Sequence, residues 1–168
     1  MRTITAILIG CLIYTEACTD AEKKAAEKPV PKLSLREWIS QTNRKETSHT
    51  LVFAVSQADC INCKIAFTEV FRRLVLHADS AERIVVIFPN TRMVERQTAV
   101  DALFGNISSG SCEILYDNAL FADAIAQLKT GKGISALLIY NKKADLEFAA
   151  FGKTITGTEP ELLPFLQR

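Results

Sequence analysis

Uninterrupted apolar runs alternate along the chain with stretches of helical period. Leu51–Val55 and Arg83–Phe88 are continuous and rich in β-branched residues, the pattern of strands covered on both faces. Between them, Cys63, Phe67, Val70, Phe71 and Leu74 recur at helical spacing. Lys64, Glu69, Arg72 and Arg73 fall off that stripe, so the two arginines read as a solvated helix face. Ahead of the first strand, Ser34 and Glu37 form a capping-box pattern at the start of a short helix carrying Leu35, Trp38 and Ile39. A helical stretch from Met93 to Phe104 ends at Gly105-Asn106, a shorter strand spans Cys112–Tyr116, and a further helix is predicted over Asn118–Lys129. Ile134–Tyr140 and Leu146–Phe151 flank the turn Asn141–Asp145 and predict an antiparallel hairpin. Thr158 and Glu161 offer a last capping box before a short helix with Leu162, Leu163, Phe165 and Leu166.

Strands alternating with helices imply a central sheet with parallel pairs, to which the hairpin adds an antiparallel edge. The expected class is therefore α/β, a sandwich with a central mixed sheet flanked by helices. A length of 168 residues suits one domain, and 48% hydrophobic with 23% charged residues is ordinary globular composition. The formal charge of +1 argues against nucleic acid as a partner, which needs a concentrated basic surface.

Residues 1–18 read as a signal peptide rather than as part of the fold. Met1-Arg2 is a minimal positive region, and Thr3–Tyr14 is an uncharged, mostly apolar stretch of about twelve residues, short of the roughly 20 that span a bilayer. Ala17 precedes Cys18 as in bacterial lipoprotein signals, although Glu16 departs from the usual small residue. Lipidation of Cys18 would tether the mature chain to the periplasmic side of a membrane. Residues 19–32, rich in Lys, Glu and Ala and ending in Pro29 and Pro31, predict a flexible tether, and residues 33–168 form the expected domain. An exported chain meets surroundings in which disulfides persist.

The chemistry lies in Ser56-Gln-Ala-Asp-Cys60-Ile-Asn-Cys63-Lys64, between a buried strand and an amphipathic helix. At a helix start, unpaired backbone N–H groups and the helix dipole favour the thiolate of Cys60. Cys63 follows one turn later, close enough to resolve a mixed disulfide formed on Cys60. Asp59 places a carboxylate next to Cys60, which disfavours the thiolate and points toward a reductant.

Here the sequence resembles the thioredoxin superfamily, and the strand–Cys60-Ile-Asn-Cys63–helix unit is its specific motif. The extra helix and strand between Phe88 and the hairpin, with Glu113–Phe121 and Ile134–Tyr140, are similar to the membrane-tethered, periplasm-facing branch related to TlpA and ResA. The resemblance implies a thioredoxin-like three-layer sandwich acting in thiol–disulfide exchange. Cys60 would be the exposed nucleophile and Cys63 the resolving partner. The substrates would be protein thiols or disulfides, an upstream thiol protein would reset the pair, and no cofactor or metal is needed. It also places Ile134 and Ser135 in the substrate groove, with Ser135 where most members carry a cis-proline. A non-proline cis bond costs roughly 2.5–4 kcal/mol, so a trans bond is expected at Ser135.

The competing reading is a non-enzymatic thioredoxin-like binding module with a structural disulfide or metal-binding cysteines. A structural zinc site needs four ligands, and beyond the pair the domain offers only Cys112, His49 and His77, with no second CxxC. Cys112 reads as a small buried strand residue, with a third redox cysteine as its functional alternative. Thiol peroxidase ranks lower, because the residues before Cys60 lack the Pro and Thr that position peroxide.

Overall fold

The computed structural model describes residues 33–57, 59, 61–128, 134–152 and 154–167. The expected signal peptide, Cys18 and the tether of residues 19–32 lie outside the described residues, as does Cys60. Among those described, no helix is long and apolar enough to cross a membrane.

Five strands, β1 (His49–Ala54), β2 (Glu82–Phe88), β3 (Cys112–Tyr116), β4 (Ala136–Asn141) and β5 (Leu146–Phe151), form one sheet in the order β3-β2-β1-β4-β5. β1 pairs in parallel with β2, and β2 with β3; β4 runs antiparallel to β1 and to β5. Helices α1 (Leu35–Thr42), α2 (Ile61–His77), α3 (Met93–Phe104), α4 (Asn118–Ala126) and α5 (Leu163–Leu166) cover the two faces. This is the α/β class and the helix-flanked mixed sheet read from the sequence. The crossover β1–α2–β2 and the hairpin β4–β5 are the halves a thioredoxin-like arrangement requires, with β3 added beyond β2.

The alternation of side chains along each strand sorts the core into two layers. Leu51, Phe53, Val86, Phe88, Leu137 and Ile139 pack on the face covered by α2, α3 and α5. Val52, Ala54, Val85, Ile87, Leu138 and Tyr140 pack on the other face against Leu35 and Ile39 of α1 and Ala124 of α4. Phe53 stands edge-on to Phe71 at 4.8 Å and to Phe67 at 5.9 Å, and Phe71 meets Phe104 of α3 at 5.1 Å. Such pairs contribute about 0.5–1.5 kcal/mol each beyond the area they bury. They fix α2 against the sheet and α3 against α2.

The capping box at α1 is present: Ser34 Oγ accepts from the Glu37 N–H at 3.3 Å, and Glu37 Oε2 accepts from the Ser34 N–H at 2.9 Å. Three expectations need correction. The helix after β3 ends at Ala126 rather than Lys129. The box expected at Thr158 and Glu161 forms instead around Glu159, whose carboxylate accepts from the Thr156 N–H at 2.6 Å and the Gly157 N–H at 2.7 Å. Gly157, at φ 77°, turns the chain so that these donors converge there. Finally, Arg72 is not a solvated charge. Its Nε donates to the Leu103 carbonyl at 3.1 Å and its Nη2 to the Ala102 carbonyl at 3.3 Å, capping the C-terminal end of α3.

Candidate thiol site

The site is assembled where β1 gives way to α2. The Val55 N–H still follows the sheet, donating to the Ile87 carbonyl at 2.9 Å. One residue later the chain leaves it, and the Ser56 N–H donates to Ser135 Oγ at 2.8 Å. The Gln57 carbonyl accepts from Lys64 Nζ at 2.8 Å, which ties this loop to the first turn of α2. α2 begins at Ile61, so in sequence Cys60 immediately precedes it. Cys63 occupies the first turn, half-buried and disulfide-bonded.

Ser135, next to the first residue of β4, is the junction of three segments. Its N–H donates to both carboxylate oxygens of Asp59 at 3.1 Å, its Oγ accepts from Ser56, and its carbonyl accepts from the Gly152 N–H at 2.7 Å. The residue is 1% exposed, so these bonds form out of water, where an unmade one would cost about 1–3 kcal/mol. No cis peptide bond occurs among the described residues, so the Ile134–Ser135 bond is trans. Asp59 is half-buried and its carboxylate is directed to the backbone of Ser135. In the sequence it is a charge beside Cys60; in the structure it is also a clasp across the site.

Gly152 explains how β5 reaches this junction. A Cβ there would stand 3.1 Å from Phe67 Cδ2 and 3.3 Å from Phe67 Cβ, so glycine lets the end of β5 lie against α2 without displacing Phe67. Beside Ser56 and Ser135 opens a groove of about 950 Å³ that runs between α2 and α3. Ile65, Leu76 and Val94, which are 61%, 68% and 78% exposed, contribute apolar surface to its lining. Ser135 borders the groove; Ile134 is half-buried and is not part of its lining.

The remaining candidates lie elsewhere. Cys112 is half-buried on edge strand β3, in register with Ile84. His49 begins β1, at the end away from Cys63, with Nε2 3.5 Å from Glu147 and its ring edge-on to Phe165. Among the described residues no group of three or more His, Cys, Asp or Glu is placed to hold a metal ion. Ser56 and Gly152 were not recognisable in the sequence, because Ser56 meets Ser135 across 79 positions and no local pattern marks either.

The chain matches no protein-family model and no curated protein. Among solved structures it is similar to BsSco, described as a member of the Sco family of cytochrome c oxidase assembly proteins in which a disulfide switch was identified. The two share 12% identity with a TM-score of 0.47, over 70% of this chain and 78% of that one.

Proposed function

We propose that this protein is an exported, membrane-tethered thiol–disulfide oxidoreductase acting on protein thiols or disulfides through Cys60 and Cys63. The observation that carries the reading is the disulfide at Cys63, in the first turn of α2, whose next residue, Lys64, lines a groove between α2 and α3. The first N–H groups of a helix have no intrahelical partner, and they stabilise a thiolate placed at that end. In the exchange, the Cys60 thiolate attacks one sulfur of a substrate disulfide, and the other leaves as a thiolate that takes up a proton. Cys63 then loses its proton and attacks the Cys60 sulfur of the mixed disulfide, releasing the second substrate thiol. Two electrons pass from the pair to the substrate, or the reverse when the pair arrives oxidised. Lipidation at Cys18 would hold the domain within the reach of the tether, roughly 45 Å when fully extended.

Reduction of insulin disulfides by dithiothreitol provides the test. The purified chain should accelerate it, Cys60→Ser should abolish the acceleration, and Cys63→Ser should accumulate a mixed disulfide on Cys60. A chain that leaves the rate unchanged is a binding module with a structural disulfide. Labelling of expressing bacteria with an alkyne-bearing palmitate checks the anchor: the wild-type chain should incorporate the label and Cys18→Ala should not.

A further inference from the structure

The geometry points to Asp59 as a positioning residue that acts through Ser135 and biases the Cys60–Cys63 pair toward its disulfide, making the protein a donor of electrons to substrate disulfides. This rests on the reading that the pair is redox-active. Both Asp59 oxygens lie 3.1 Å from the Ser135 nitrogen, and Ser135 cannot yield, because its Oγ and carbonyl are engaged by Ser56 and Gly152. The carboxylate is therefore held at the residue before Cys60 instead of turning into water. Lys64 Nζ donates to the Gln57 carbonyl at 2.8 Å.

Two consequences have the same sign. A fixed negative charge on the residue that precedes Cys60 in sequence opposes the thiolate that reduction creates, since like charges disfavour ionisation. The clasp also holds Ser56 and Asp59 to Ser135 in the arrangement found with Cys63 in its disulfide. Both raise the free energy of the dithiol relative to the disulfide. A pair so biased passes its two electrons readily to a substrate disulfide, ends oxidised, and is restored by a dithiol protein of lower potential.

The test is a two-by-two comparison of the equilibrium constant of the full chain with glutathione. Asp59→Asn keeps an oxygen acceptor but removes the charge; Ser135→Pro keeps the charge but removes the N–H that holds it, together with the Oγ that accepts from Ser56. Each single variant should favour the dithiol by about tenfold, ~30 mV for a two-electron couple, and the double variant should add less than threefold to the larger of them. Full additivity would mean that Asp59 acts without Ser135 and would overturn the proposal, as would an unshifted Asp59→Asn. A second readout is independent of the folding of Ser135→Pro: the pH midpoint of iodoacetamide reaction at Cys60 should fall by about half a unit or more in Asp59→Asn. An unchanged midpoint also overturns it. A wild-type pair that excess dithiothreitol fails to reduce removes the redox reading itself, an outcome separate from a reducible pair with unshifted variants.

Discussion

Glu159 sits under two opposing influences. Burial pushes its carboxyl up, but the N–H groups of Thr156 and Gly157 and the Thr156 hydroxyl donate to it and outweigh that, holding it below its ordinary value of 4.5. A carboxylate lowered on folding contributes stability that is fully present above its unfolded value and is lost as pH falls through the folded one. The wild-type chain should therefore unfold at a higher denaturant midpoint than Glu159→Gln at pH 7, with the difference closing as the pH drops below about 4.5. Midpoints in urea at pH 7, 5 and 3.5 check this, and a difference that does not vary with pH would refute it. The same residue shows where sequence reading works. The box at Ser34 and Glu37 is legible because donor and acceptor are three positions apart on regular helix. At Glu159 the bonds form two residues ahead of the Thr158 and Glu161 pattern, because the left-handed turn at Gly157 governs which N–H groups converge.

Between elements, Arg72 joins α2 to α3 and Gly152 sets the approach of β5 to α2. Arg72 fastens α2 to the last turn of α3 through two carbonyls, and Gly105, where α3 ends, lies so near that a Cβ there would meet Arg72 Nη2 at 2.5 Å. Arg72→Ala should cost about 1–2 kcal/mol, the worth of charge-assisted bonds at a half-buried site. Arg72→Lys should recover less than half of that, since one ammonium cannot reproduce the planar fork. Thermal unfolding of the three chains decides the matter. Gly152→Ala pushes a methyl against Phe67 and should cost about 1–3 kcal/mol by overpacking. Gly110→Ala, which meets only Ser108 Oγ at 3.4 Å, should stay within about 0.5 kcal/mol. Neither positioning role was legible in the chain. The off-stripe place of Arg72 on α2 signals exposure, and only the approach of α3, 30 positions away, reveals the carbonyls it meets.

At the scale of the whole molecule, the strands and the order of elements were legible, because burial on both faces of β1, β2 and β4 imposes continuous apolar runs. The place of Cys63 in the first turn of α2 was legible as well, since the change from strand to helical period just before it is local. What sequence could not supply is the closure of the site, where the loop after β1, the start of β4 and the end of β5 meet at Ser135. That closure makes redox state and stability one measurement. Folding and reduction form a thermodynamic cycle, so the stability difference between disulfide and dithiol chains equals the difference in reduction potential between the folded and unfolded pair, about 1.4 kcal/mol for each 30 mV. A cross-link closing only the Cys60–Cys63 loop removes little chain entropy, because that contribution grows with loop length. Any large gap between the two forms must then come from how the folded site treats the pair. If the folded site favours the disulfide, as the clasp from Asp59 to Ser135 implies, the oxidised chain should unfold at the higher urea midpoint and the reduced chain should keep its full α/β circular dichroism. In Asp59→Asn the gap should narrow, by about 1.4 kcal/mol for the tenfold shift expected there. A reduced chain that is the more stable of the two would mark an oxidant, and one that loses its structure on reduction would mark a structural disulfide.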